Sequence, residues 1–203
     1  MCIMGKNIIS EKWQQYRRKK RWWSIVLDFL FLALVVAMLF PTSRKTVSAF
    51  IVRYTMLAPR ESSRTVILDQ QERQLRLVTY DGELVSLEEL SDKPVFLNYW
   101  GTWCPPCIAE LPSLQNLYNA YKEEVHFVFV SNEDPETVLA FMEARGYELP
   151  LYALASQPAE ALSTTTLPTT FLISPGGRIV LHKTGAARWD SRRMFDLMDK
   201  QLR

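Results

Sequence analysis

The chain is poor in the residues that build metal centres and disulfide-stapled scaffolds, with three cysteines and two histidines in 203 residues. One close pair, Cys104 and Cys107, and a distant Cys2 cannot assemble a disulfide framework or a four-cysteine zinc ribbon. His126 and His182 do not complete a zinc site by sequence spacing. Seven glycines and eleven prolines without a period exclude collagen-like and low-complexity chains. Strong net charge is absent too, at +2, but the balance is uneven. The first 40 residues hold seven of the 24 Lys and Arg, set against Glu11 and Asp28, so the remainder is mildly acidic. Phosphate binding needs a basic face on the folded domain itself, so no nucleic-acid partner is expected. A hydrophobic content of 48% is enough for one ordinary core.

What is present begins with a long apolar run. Trp22 to Phe40 reads WWSIVLDFLFLALVVAMLF, interrupted only by Ser24 and Asp28. As a helix it extends roughly 28 Å, close to one bilayer core, and predicts a single N-terminal transmembrane helix. The basic cluster Arg17 to Arg21 before it belongs on the cytoplasmic side, which places the rest at the periplasmic or extracytoplasmic face of the inner membrane. A cleavable signal peptide and a buried core helix are the competing readings. The first lacks a small-residue cleavage site close behind, and the second rarely runs apolar on all sides for so long. Residues 1–21 then form a basic cytoplasmic tail containing an inert Cys2, and 41–74 a stalk or linker with helical spacing over Val47, Phe50, Ile51, Tyr54 and Leu57.

From residue 75 to 203 the pattern is that of one α/β domain. Gln74 to Tyr80 and Glu83 to Leu87 flank Asp81-Gly82, the signature of an N-terminal β-hairpin extension. Lys93 to Tyr99 and Val125 to Ser131 are continuous apolar runs, expected as strands buried on both faces. Helical spacing covers Leu111 to Tyr121, Pro135 to Arg145 and Asp190 to Leu202, with a brief helix at Pro158 to Ser163. Leu149 to Leu154 is extended, and Thr170 to Ser174 and Arg178 to Thr184 form an antiparallel hairpin around Pro175-Gly176-Gly177. The order implies a mixed sheet covered on both faces.

Trp103-Cys104-Pro105-Pro106-Cys107 falls where a buried strand hands over to a helix, whose positive end stabilises a thiolate. Cys104 is expected to be exposed there and to attack a partner's disulfide. Cys107, one turn in, is expected to be shielded and to resolve the mixed disulfide, so that the pair forms a redox-active disulfide. A structural bridge or half of a metal site would use the same residues with less purpose, since so short a loop gains little from closure and further ligands are missing.

With these pieces in place, the sequence resembles the thioredoxin-like fold and, within it, the membrane-anchored TlpA/ResA-type thiol-disulfide oxidoreductases, relatives of the cytochrome c maturation thioredoxins. The resemblance rests on VFLNYWGTWCPPCIAELPSL from Val95 to Leu114, TLPTTFLI from Thr166 to Ile173 and PGGRIVLHKTGA from Pro175 to Ala186. It implies a cis peptide at Leu167-Pro168 opposite the cysteines, with the backbone of Leu167 offered to substrate, and a helix-kinking role for Pro112. Where cytosolic thioredoxins carry a buried Asp, this chain has Asn98, which cannot take a proton. The resemblance makes Glu110, three residues after Cys107, the proton acceptor; a first-turn acid that only complements the helix dipole is the other reading. Trp100 and Trp103 are expected to pack around the site, Trp103 as a substrate contact.

Pro105 and Pro106 lack a backbone N–H, so the Cys104 thiolate loses two donors and the couple is expected to be reducing. The resulting expectation is a protein-disulfide reductase acting on selected secreted proteins, apocytochrome c among them, and recharged by a membrane thiol donor of DsbD/CcdA type, with no cofactor. A copper- or haem-handling chaperone on the same fold is the alternative.

Overall fold

A computed structural model describes residues 22–39, 56, 58–59 and 66–203. The chain divides into two compact units, Met1–Val47 and Ser48–Arg203. In the first, α1 covers Trp22–Leu39 and exposes Trp22, Trp23, Leu27 and Phe29 to Leu32, with the two indoles 4.9 Å apart. Among the described residues no helix is long and apolar enough to cross a membrane. Its eighteen residues span about 27 Å, and Ser24 and Asp28 interrupt the apolar surface in the first half.

The second unit is a mixed, eight-stranded sheet. Its strands are β1 (Val66–Ile67), β2 (Arg76–Thr79), β3 (Leu84–Ser86), β4 (Val95–Tyr99), β5 (His126–Val130), β6 (Leu151–Leu154), β7 (Thr169–Ile173) and β8 (Arg178–Thr184). They lie in the order β1-β8-β7-β4-β5-β6-β2-β3. β5 runs parallel to β4 and to β6, and every other pairing is antiparallel. The central strands follow from their composition: β4 and β7 are buried along their whole length, as continuous apolar runs require when both faces are covered. Gly82 (φ 90°) and Gly177 (φ 76°) supply the left-handed backbone that the two hairpin turns need.

Helices α2 (Pro105–Tyr121), α3 (Pro135–Glu143) and α4 (Arg192–Gln201) all feed one core, in which Leu111, Leu114, Leu117, Val138, Met142, Met194 and Met198 meet Phe96, Phe127, Phe129 and Leu172 of the sheet. The alternate residues, Val95, Leu97, Tyr99, Val128, Val130, Phe171 and Ile173, form a second core with Leu68, Leu77, Leu87 and Leu162. Each helix starts on a side-chain cap: Cys104 for α2, Asp134 for α3 and Ser191 for α4. α2 starts at Pro105, six residues before the periodicity becomes visible, because proline suits the first helical positions and the cap supplies the stop before it. The brief helix expected at 158–163 is a 3-10 turn, Glu160–Leu162. Residues 66–74, expected in the linker, carry β1, paired to β8, and a 3-10 turn at Glu72–Gln74. The helical spacing at 47–57 lies almost wholly outside the described residues.

Candidate functional site

The site grows from the end of β4. Gly101 to Trp103 turn the chain into α2, and Glu133 holds that turn by accepting hydrogen bonds from the Thr102 N–H (2.6 Å), the Thr102 hydroxyl and the Ser131 hydroxyl. A Cβ at Gly101 would meet Trp103 Nε1 at 3.0 Å and Glu133 Oε2 at 3.2 Å, so any larger residue there requires one of these side chains to give way. Cys104 then caps α2, its Sγ accepting from the Cys107 N–H at 3.3 Å. That N–H is the donor the helix end still offers after Pro105 and Pro106.

Cys104 and Cys107 form a disulfide, with their Cα atoms 5.3 Å apart. Cys104 is 3% exposed and Cys107 1%, which corrects the expected exposure of Cys104. Both sulfurs belong to the helix-side core, where Trp100, Leu111 and the partly buried Leu167 also pack. The two tryptophans separate. Trp100 is buried against Phe141, centroids 5.9 Å apart, whereas Trp103 stands 59% exposed. Trp103 and Leu167 share the wall of a pocket of about 130 Å³ with Tyr99, Trp100 and Glu133.

Leu167-Pro168 is a cis peptide. The loop before β7 is tied by its threonines, as Thr164 Oγ1 and Thr169 Oγ1 both donate to the Thr166 carbonyl, at 3.0 and 2.7 Å, and the Gly185 N–H donates to the Pro168 carbonyl at 2.8 Å.

Glu110 follows Cys107 by one turn of α2 and is fully buried. It accepts from Trp189 Nε1 at 2.8 Å, the Ala187 N–H at 3.1 Å and Asn98 Nδ2 at 3.2 Å. Burial raises its pKa from 4.5 to about 7; the three donors and the positive charge of Lys183 pull the other way without cancelling it. Asn98 Nδ2 also donates to Thr170 Oγ1 at 2.8 Å, while Asn98 Oδ1 is buried and has no partner among the described residues. Sequence spacing found Glu110 but not Trp189 and Ala187, which donate to it from 79 and 77 residues away, nor Thr170, which accepts from Asn98 across 72 residues; no local periodicity marks them. Pro112 sits inside α2, and no three His, Cys, Asp or Glu among the described residues gather as metal ligands.

The family model described as AhpC/TSA matches residues 68–182, a stretch that contains the cysteine turn, the buried acid and the cis peptide. The chain belongs to the AhpC/TSA family. Within the wider thioredoxin-like fold, it is similar to the thiol-disulfide oxidoreductase ResA of Halalkalibacterium halodurans, 42% identical over 108 residues, which are 52% of this chain and 61% of that protein. The chain thus spans about three fifths of the length of this curated relative. Among solved structures it is similar to a thiol:disulfide interchange protein from Bacteroides sp., with TM-score 0.53 and 21% identity over 72% of this chain and 91% of that one. It is likewise similar to the thioredoxin domain of a thiol-disulfide oxidoreductase from Bacteroides vulgatus, with TM-score 0.51 and 20% identity over 72% of this chain and 99% of that one. At these identities the structures establish the thioredoxin-like fold that this AhpC/TSA member adopts.

Proposed function

We propose that the protein is a protein-disulfide reductase that works by dithiol exchange. The observation that carries this reading is the Cys104–Cys107 bridge at the N-terminus of α2, one turn from a buried carboxyl group. In the reduced protein the Cys104 thiolate attacks one sulfur of a substrate disulfide; an S–S bond forms between them and the substrate's other sulfur leaves as a thiolate. Glu110 takes the proton of the Cys107 thiol, and the Cys107 sulfur attacks Cys104, releasing the second substrate thiol and closing the bridge. Two electrons pass to the substrate, and a thiol donor must return them. A membrane dithiol partner of DsbD/CcdA type fits that need.

The exposed face of Trp103, the pocket it shares with Leu167 and the threonine-tied loop before Pro168 support a bound polypeptide lying across the bridge, with Trp103, Leu167 and Pro168 as its contacts. Stacking on Trp103 would hold a side chain, and the Leu167 backbone would pair with an extended segment. We place this activity outside the cytoplasm, on selected secreted proteins including apocytochrome c, as the resemblance to the TlpA/ResA-type oxidoreductases implies. The apolar segment after Arg17 to Arg21 supports attachment to the inner membrane, with residues 1–21 inside and the working domain, which begins with β1 at Val66, outside.

Reduction of insulin disulfides decides the activity: the intact protein turns over with a chemical reductant, and Cys104→Ser falls to background. A C-terminal alkaline phosphatase fusion that stays inactive, or a chain recovered entirely in the soluble fraction, would overturn the location.

A further inference from the structure

Glu110 is surrounded by donors alone: Trp189 Nε1, the Ala187 N–H and Asn98 Nδ2. That set suits a carboxylate. Protonation adds an O–H that none of these three groups can accept, and an unpaired O–H at a fully buried position is costly. Burial nonetheless pushes Glu110 toward the acid form. Of the three partners, only Asn98 carries an acceptor on the same rotatable group. Half a turn of its amide exchanges Nδ2 for Oδ1 at the position 3.2 Å from Glu110 Oε1.

Two observations make that rotation feasible. Asn98 Oδ1 has no partner among the described residues, so turning it breaks no bond on that side. The other contact of Nδ2 is the Thr170 hydroxyl at 2.8 Å, which accepts in one orientation and donates in the other. Both orientations keep Glu110 and Thr170 as neighbours; the second leaves the amide N–H groups where Oδ1 now lies without a partner, so it is adopted only when the Glu110 proton needs an acceptor.

We propose that Asn98 is a proton-keyed positioning residue whose amide presents Nδ2 to Glu110 as a carboxylate and Oδ1 to Glu110 as an acid, with Thr170 reversing its hydroxyl between the two. The inference rests on the reading of Glu110 as proton acceptor and deepens it. When Cys107 gives up its proton, one S–H bond breaks and one O–H bond forms on Glu110, and that O–H points at Asn98 Oδ1. The electron pair stays on the Cys107 sulfur for its attack on Cys104. Asn98 holds the proton in place without titrating.

The test is an NMR titration of the oxidised full chain in detergent, following the Glu110 carboxyl carbon and the Asn98 side-chain amide. In this form neither cysteine titrates. Lys183 of β8 is the charged side chain acting on Glu110, while the facing residues of β4, β7 and the loop before α4 are Asn98, Thr170, Ala187 and Trp189. Both probes are expected to shift with one midpoint. In Glu110→Gln, Asn98 is expected at the low-pH limit of the wild type at every pH, because the introduced amide donates where Oε1 accepted. Thr170→Ser is expected to keep the coupling and Thr170→Val to move the midpoint. Asn98 signals that stay fixed while Glu110 titrates, or that sit at the high-pH limit in Glu110→Gln, would overturn the proposal. An inactive protein whose two groups still titrate together would sink the reductase reading and leave this one standing; an active reductase with a fixed Asn98 would do the reverse.

Discussion

The indole N–H of Trp189 donates to Glu110 Oε2 at 2.8 Å, joining the segment before α4 to α2 across 79 residues. The same indole packs edge-on against Phe96 of β4, centroids 5.1 Å apart, so it is held from both sides. Trp189→Phe keeps the packing and removes the donor. It is expected to raise the Glu110 pKa above its present value of about 7 and to lower stability at pH 8 by about 1–3 kcal/mol. Denaturant unfolding and a carboxyl titration check both parts.

Stability should fall with rising pH through this one group. The folded pKa of Glu110, about 7, lies above its unfolded value near 4.5, so the folded state binds the extra proton between these limits. The favourable contribution is complete below about 4.5, declines as pH rises, and is gone above about 7, a swing of about 3 kcal/mol. Thermal unfolding of the oxidised protein from pH 5 to pH 8 measures it. Glu110→Gln is expected to flatten the curve, and an unchanged slope would contradict the assignment.

Cys107→Ser is expected to stall the cycle at a mixed disulfide between Cys104 and the substrate, visible as a covalent adduct that a reductant releases. Cys104→Ser should form no such adduct. Captured polypeptides identify the substrates.

The strand cores and the cysteine motif were readable because their causes are local. Val95 to Tyr99 is apolar throughout, and an all-buried strand needs nothing else. Two features were not readable. Cys104 lies at a helix terminus, which suggested exposure, but its burial is set by Trp100, Leu111 and Leu167, the last of them 63 residues away in sequence. β1 has only two residues, both exposed, so alternation has no length over which to appear, and its pairing depends on β8 more than 110 residues later.

Pro105→Ala and Pro106→Ala each restore a backbone N–H near the Cys104 sulfur. Each is expected to make the couple less reducing, by about 10–30 mV if one weak hydrogen bond to the thiolate is gained. The wild-type potential is expected below about −180 mV in glutathione equilibrium. A value at or above it would reverse the proposed direction of electron flow.

Gly101→Ala places a methyl group about 3 Å from the Trp103 indole and the Glu133 carboxylate. Trp103 is expected to be displaced, with a changed fluorescence maximum and a raised KM. Glu133→Ala should loosen the same turn through Thr102, at a cost of about 1–2 kcal/mol. Unaltered fluorescence in both variants would show that the turn does not set the indole.

The sheet ends on one side in β1, with two residues, and on the other in β3, with three. A neighbouring molecule seeking to extend the ladder finds only a few backbone groups at either margin, too few to template a growing stack. The margins of this sheet therefore offer little foothold for fibre growth.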